Sequence, residues 1–149
     1  MEIENILKKE KDLVLDTGIL ISYFTGEKPS IISFLDRFIF SEKSYINLHG
    51  NQLLKSEIYY IICRMKGIEK AKEVNNKVEE IINIISETNL FEIAAQIKCK
   101  YPIAIADCYS IATGIFKNCP IFFLKEEELS DKRIKKIDNE FNSRIYILE

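Results

Sequence analysis

Three acidic residues interrupt apolar patterns in this sequence. In LVLDTGILISYF (residues 13–24) a buried-looking run stops at Asp16. In LLKSEIYYIICR, Glu57 lies three or four residues from Leu53, Leu54 and Ile61, which places it on or beside the apolar face of a helix. In YPIAIADCYSIATG, Asp107 follows Ile103 by four residues and precedes Ile111 by four, so it too points inward. A carboxylate withdrawn from water is expensive unless a cation or strong hydrogen bonds meet it. Acids from separate elements, gathered at one crevice, would repel and neutralise one another unless they shared a divalent cation. An all-oxygen donor set of this kind suits Mg²⁺ or Mn²⁺.

A plainer reading stands beside this one. Asp16 would cap the following helix through its carboxylate, while Glu57 and Asp107 would sit at the edges of their apolar stripes and reach water. Each acid alone fits either reading equally well. Together they favour the shared site, because the plainer reading needs three independent intrusions into apolar patterns. Two carboxylates about 4 Å apart repel by about 4 kcal/mol at an effective dielectric near 20, so at least one should hold its proton when no metal is bound.

The elements that must position these acids alternate between strand and helix. After a polar lead-in, Asp12–Asp16 reads as a short buried strand, and Gly18–Phe24 begins a helix that breaks at Gly26. Pro29 and Ser30 open a second helix, whose apolar positions Ile31, Phe34, Leu35, Phe38 and Ile39 have amphipathic spacing. SYIN (44–47) is a candidate strand, Gln52–Met65 a helix, and Ile68–Ile85 a further helix after Gly67, with Lys70, Lys72, Glu73 and Lys77 on its wet face. Glu92–Lys100 and Ile103–Lys117 read as helices, IFFL (121–124) as a buried strand, KEEELSDKRIKKIDNEF as loop with a helical turn, and RIYIL (144–148) as a last strand. This order predicts a three-layer α/β/α sandwich with a mostly parallel central sheet and a binding crevice at the carboxyl ends of the strands, where Asp16 falls.

Composition narrows the function classes. The 149 residues, 47% hydrophobic, fit one domain spanning 1–149. With 21 basic and 23 acidic residues the net charge is −2, so the overall field does not attract nucleic acid, and a polyanion would have to be held by local charge or metal. Cys63, Cys99, Cys108 and Cys119 form no C-x-x-C pair, which argues against zinc or redox chemistry and for reduced, mostly buried thiols. The charged start MEIENILKKEKD has no apolar segment of signal-peptide type, and no apolar run nears the about 18 residues of a membrane span. A soluble, cytoplasmic protein is expected. Gly-rich phosphate loops are absent.

LVLDTGILISYFTGE, NQLLKSEIYYIICRMKG and YPIAIADCYSIATGIFKNCPIFFLKEEEL, with the final strand, resemble PIN-domain ribonucleases of the VapC toxin type over nearly the whole chain. The resemblance implies a PIN-like fold and Mg²⁺ or Mn²⁺ coordination by Asp16, Glu57 and Asp107, the last in an A-D-x-x-x-x-A-T segment completed by Ala112 and Thr113. It also implies a fourth acid after the next strand, in a T-x-D-x-x-F pattern. LKEEEL (124–129) matches with Leu124, Glu126 and Leu129 in place of Thr, Asp and Phe, and Glu127 or Glu128 could substitute for Glu126. Gly18 stands where the family commonly has Ser, and Thr17 keeps a hydroxyl beside the first acid, to support the site or a substrate phosphate. An RNA substrate, a small antitoxin protein whose extended segment blocks the acidic groove, and a homodimer are implied in the same way.

Metal-activated water attacking an RNA phosphodiester in line is the chemistry such a site would perform. Lys55, Arg64 and Lys125 are candidate phosphate contacts. Against this stand a weakened PIN-like module that only binds RNA or protein, suggested by the altered LKEEEL segment, and, ranked last, a doubly wound domain of flavodoxin or response-regulator type. His49, the only histidine, is expected in a surface or capping role in a loop, and Tyr59, Tyr60, Phe122 and Phe123 as core and interface aromatics.

Overall fold

The computed structural model describes residues 2–148. Five strands, β1 (Asp12–Leu15), β2 (Asn47–Asn51), β3 (Ile82–Ile85), β4 (Ile121–Leu124) and β5 (Ile145–Leu148), form one sheet in the order β3-β2-β1-β4-β5. Every pairing is parallel. Successive strand residues face opposite sides, and the sequence exploits this on the central strands. Leu13, Leu15 and Phe122 pack into one core, and Val14, Ile121 and Phe123 into the other. Helices α1 (Glu2–Lys9), α2 (Thr17–Thr25), α3 (Pro29–Phe38), α4 (Gln52–Lys66) and α5 (Ile68–Ile81) cover the first face. Helices α6 (Phe91–Lys100), α7 (Ile105–Lys117) and α8 (Asp131–Phe141) cover the second. This is the three-layer α/β/α sandwich that the alternating elements predict.

Strand order reverses at β1. From it the chain moves outward to β2 and β3, then returns to place β4 on the other side. The crevice at such a reversal, beyond the carboxyl ends of the strands, is where parallel sheets bind ligands. Asp16 follows β1 and Glu126 follows β4, so the two flank that crevice.

Five local expectations are corrected. The second strand is Asn47–Asn51, not 44–47. His49 and Gly50 hide it from a propensity reading, but tertiary pairing makes it a strand: Leu48 and His49 lie against Leu13 and Val14, with β3 on the other side. His49 is consequently buried in the sheet rather than in a loop, its Nε2 2.7 Å from Asp12 Oδ1 and its Nδ1 3.0 Å from Asn83 Nδ2, a polar ladder across three strands. The helix from Ile68 ends at Ile81, because the β-branched run from Ile82 turns into edge strand β3. The charged segment after β4 contains a full helix, α8, capped by the Ser130 hydroxyl accepting from Arg133 N and anchored by buried Ile134 and Ile137. The polar lead-in is helix α1, held by Leu7. Of the cysteines, Cys108 and Cys119 are buried, Cys63 is half-buried and Cys99 is exposed; all are free.

α7 approaches the sheet closely because Gly114 has no side chain. A Cβ there would lie 2.2 Å from Ile121 Cγ1 and 3.1 Å from the Cys119 carbonyl, and Ile121 is fully buried with nowhere to move. Gly114→Ala is expected to destabilise the fold by about 1–3 kcal/mol despite alanine's better helix propensity. Urea unfolding measures this, and an unchanged midpoint would refute the close-packing account.

Candidate metal centre

Asp16 ends β1. Its N–H donates to the Phe122 carbonyl (2.9 Å), the last ladder bond toward β4, and its carbonyl accepts from Leu20 N to start α2. Although Asp16 occupies the cap position, its side chain makes no cap bond to the helix. The carboxylate turns toward α7, where the Ser110 hydroxyl donates to Oδ1 at 2.9 Å. The capping role of the plainer reading is therefore not what holds Asp16.

Asp107 enters from the other layer, in the first turn of α7. Ser110 stands three residues further along the same helix, so one face of α7 supplies both an acid and the hydroxyl that orients Asp16. Sequence reading missed Ser110; its signal was the D-x-x-S spacing inside the segment already singled out for Asp107.

Glu126 completes the cluster from the loop after β4. Oxygens of Asp16, Asp107 and Glu126 all lie within 4.8 Å of one another. The longer arm of glutamate, in place of the family's aspartate, thus still reaches the site. Glu128 is used elsewhere, its Oε2 accepting from Ala104 N (3.2 Å) at the start of α7, and Glu127 is exposed. Glu57, half-buried on α4, stands outside the trio, near enough for its charge to act on both Asp16 and Asp107.

A second polar bridge fixes the two helices that carry Glu57 and Asp107. Asn51, at the end of β2, accepts from Leu54 N through Oδ1 (2.8 Å), capping α4, and donates through Nδ2 to Thr113 Oγ1 (3.0 Å). Thr113 in turn donates to the Tyr109 carbonyl (2.7 Å). The A-T threonine thereby ties α7 to α4 and sets the positions of their acids. Neither it nor Asn51 reaches the cluster as a ligand.

The site is under electrostatic stress. Burial pushes the Asp16 carboxyl up to about 7; the Ser110 bond and the Thr17 backbone amide oppose the rise, and the charges of Glu126 and Glu57 add to it. Asp107 is raised as well, first by burial, then by its close approach to Glu126 and by the negative charges of Asp16, Glu126 and Glu57. Among the described residues no lysine or arginine pairs with Asp16, Asp107 or Glu126. Thr17 Oγ1, next to Asp16 in the chain, is buried with no hydrogen-bond partner. Converging carboxylates without a counter-charge, beside an unsatisfied hydroxyl, fit a hard, oxygen-preferring divalent cation.

Two of the three cations proposed for phosphate binding are engaged elsewhere. Lys55 pairs with Glu79 (2.7 Å) and, two residues before Glu57, faces another side of α4. Arg64 stacks over the exposed Tyr60 ring at 5.2 Å. Lys125, next to Glu126, is exposed. Phe122 and Phe123 are fully buried core residues.

Comparison with known proteins agrees with this architecture. A model of the PIN domain matches residues 13–139. The chain belongs to the PIN domain family. No curated protein matches it in sequence. Among solved structures, a chain of VapBC2 from Rickettsia felis, solved bound to a DNA fragment from their promoter, superposes with a TM-score of 0.64 at 15% identity, covering 93% of this chain and 99% of that one. A chain of DNA-bound VapBC from Salmonella typhimurium gives 0.64 at 12% identity over 93% and 98%. FitAcB from Neisseria gonorrhoeae gives 0.58 at 17% identity over 90% and 96%. These likenesses establish the fold, and the PIN match sets aside the flavodoxin and response-regulator alternative.

The raised carboxyls give stability a defined pH dependence. An aspartate whose pKa is higher folded than unfolded binds more protons when folded, so its contribution is fully present below 3.8, falls as pH rises and levels off beyond about 7 for Asp16. Without metal, the melting temperature should fall across that window, by about 2–4 °C for each kcal/mol lost at this chain length. Asp16→Asn should flatten the fall, and Mn²⁺ should raise the melting temperature more at pH 8 than at pH 5. A native profile that Asp16→Asn leaves unaltered would show that Asp16 is not strained.

Proposed function

We propose that this protein is a Mg²⁺- or Mn²⁺-dependent endoribonuclease, the toxin of a type II toxin–antitoxin pair. The observation that carries the reading is the cluster of Asp16, Asp107 and Glu126 at the switch point of a PIN fold. The toxin–antitoxin part is supported by neighbours in the solved structures that are VapBC complexes. Their antitoxin components make a small protein segment the natural occupant of this acidic crevice when the enzyme is silent. A homodimer remains the expected assembly; exposed Tyr60, Met65 and Ile68 at the α4–α5 corner are apolar surface available to it.

Asp16, Asp107 and Glu126 would hold the ion. When bound, a divalent cation activates water for in-line attack and stabilises the departing oxygen. The chain's own part is positional and acid–base. Ser110 keeps Asp16 Oδ1 turned toward the site, and the Asn51–Thr113 bridge keeps α4 and α7 in register. Glu57, half-buried and close enough for its charge to act on Asp16 and Asp107, would be the fourth carboxylate of the site. It would serve as a ligand or as the acceptor of the attacking water's proton while the water oxygen bonds to phosphorus and the P–O bond breaks, the leaving ribose oxygen taking its proton from solvent. Glu126 standing within the cluster supports the enzyme over a module that only binds.

Incubating a mixed RNA pool with Mn²⁺ and the native, Asp16→Asn or Asp107→Asn protein tests this. Both variants should lose at least about 100-fold in rate, the upper range for losing even a residue that only orients a metal ligand. Equal cleavage by all three would assign the activity to a contaminant.

A further inference from the structure

The chain as a whole is slightly acidic, yet one part of its surface is strongly basic. α8 places Lys132, Arg133 and Lys136 along a groove of about 350 Å³, with Lys100 and Tyr101 from the end of α6 also lining it. Lys100 is neutralised by Glu140, which also accepts from the Tyr101 hydroxyl (2.8 Å). Among the described residues no acid forms an ion pair with Lys132, Arg133 or Lys136. Lys132 and Lys136 are exposed and four residues apart, so they share one helix face and repel each other. A ligand anion would relieve that repulsion.

The groove is connected to the segment that carries Glu126. Arg133 Nη1 donates to the Glu128 carbonyl (2.7 Å), and Glu128 Oε2 accepts from Ala104 N at the start of α7. Arg133 is thus fastened to the loop that carries Glu126 and, through it, to the helix that carries Asp107. Ser130 lines both the basic groove and a neighbouring groove that contains Glu126, Glu127 and Asp131.

We propose that the basic groove binds the sugar-phosphate backbone of the single-stranded RNA substrate beyond the scissile bond, with Lys132 and Lys136 on phosphates and Arg133 fixing the groove to the reaction centre. The inference rests on the ribonuclease reading above and names the surface that such a substrate would follow. Four residues of helix separate the Cα atoms of the two lysines by about 6 Å along the axis, and their flexible side chains can reach neighbouring phosphates of one strand. The half-buried Tyr101 ring offers a surface for a base. An acidic protein segment would use the lysines but has no need of such a ring, so RNA is the better fit.

The test is the double variant Lys132→Ala/Lys136→Ala. In an Asp107→Asn background, which prevents cleavage, binding of a fluorescein-labelled, mixed-sequence single-stranded RNA is followed by anisotropy across a KCl series. The double variant should bind about tenfold more weakly, and the slope of log K against log salt should be shallower by about 1.4, two phosphate contacts at about 0.7 each. With Asp107 intact, Mn²⁺ should raise the melting temperature of the double variant as much as that of the native chain. Unchanged RNA affinity and slope would overturn the assignment. Failure of the Asp107→Asn parent to bind any RNA would instead bring down the ribonuclease reading and this inference with it.

Discussion

The Asp16 carboxylate is withdrawn from water at the end of the central strand and met there by a hydroxyl and a backbone amide, and among the described residues no lysine or arginine pairs with it. Two neutral donors do not balance a buried charge, and two further acids press on the same space. Most of the surrounding architecture follows from keeping this arrangement in place. β1 and β4 bring Asp16 and Glu126 to the same crevice, Gly114 lets α7 lie close against β4, and that closeness delivers Asp107 and Ser110 together. A ligand of opposite charge would relieve this stress.

Two of the departures from the pattern that the resemblance implies, Gly18 and Leu124, are neighbours in space. A Cβ on Gly18 would lie 3.6 Å from Leu124 Cδ1, an ordinary contact distance. Leu124, in place of the family's threonine, therefore stands over the space next to Gly18, where the family commonly has serine. Carboxylates of Asp16, Asp107 and Glu126 converge all the same, with the Ser110 hydroxyl on Asp16 and the Thr17 hydroxyl next to Asp16 in the chain.

The large features of the fold were legible because their periodicity was uncontested. The buried strands at Leu13 and Ile121 and the amphipathic helices from Pro29 and Gln52 declare themselves in the pattern of apolar residues, as does the helix expected from Ile103, which begins at Ile105. What escaped were elements whose identity depends on neighbours. β2 contains histidine, glycine and asparagine and exists because β1 and β3 pair with it. β3 follows directly from helix α5 in an isoleucine run compatible with either period. α8 is so charged that its two buried isoleucines are easily overlooked. In the site, Asp16 and Asp107 were visible as acids inside apolar stripes. Glu126 lies in a segment of three consecutive glutamates, where pattern alone cannot say which one turns inward, and only the resemblance favoured it. Ser110 and Asn51 were hidden because a buried hydroxyl or amide is recognised by its partner, and the partners are 94 and 62 residues away in sequence.

The central claim is that the crevice is assembled around a cation, and locating the ion tests it most directly. Crystals soaked in Mn²⁺ and measured at the manganese absorption edge should show anomalous density bounded by carboxylate oxygens of Asp16, Asp107 and Glu126, and this density should vanish in Asp16→Asn. Density lying only elsewhere on the surface, or none at saturating Mn²⁺ in crystals where these three side chains are ordered, would contradict the account.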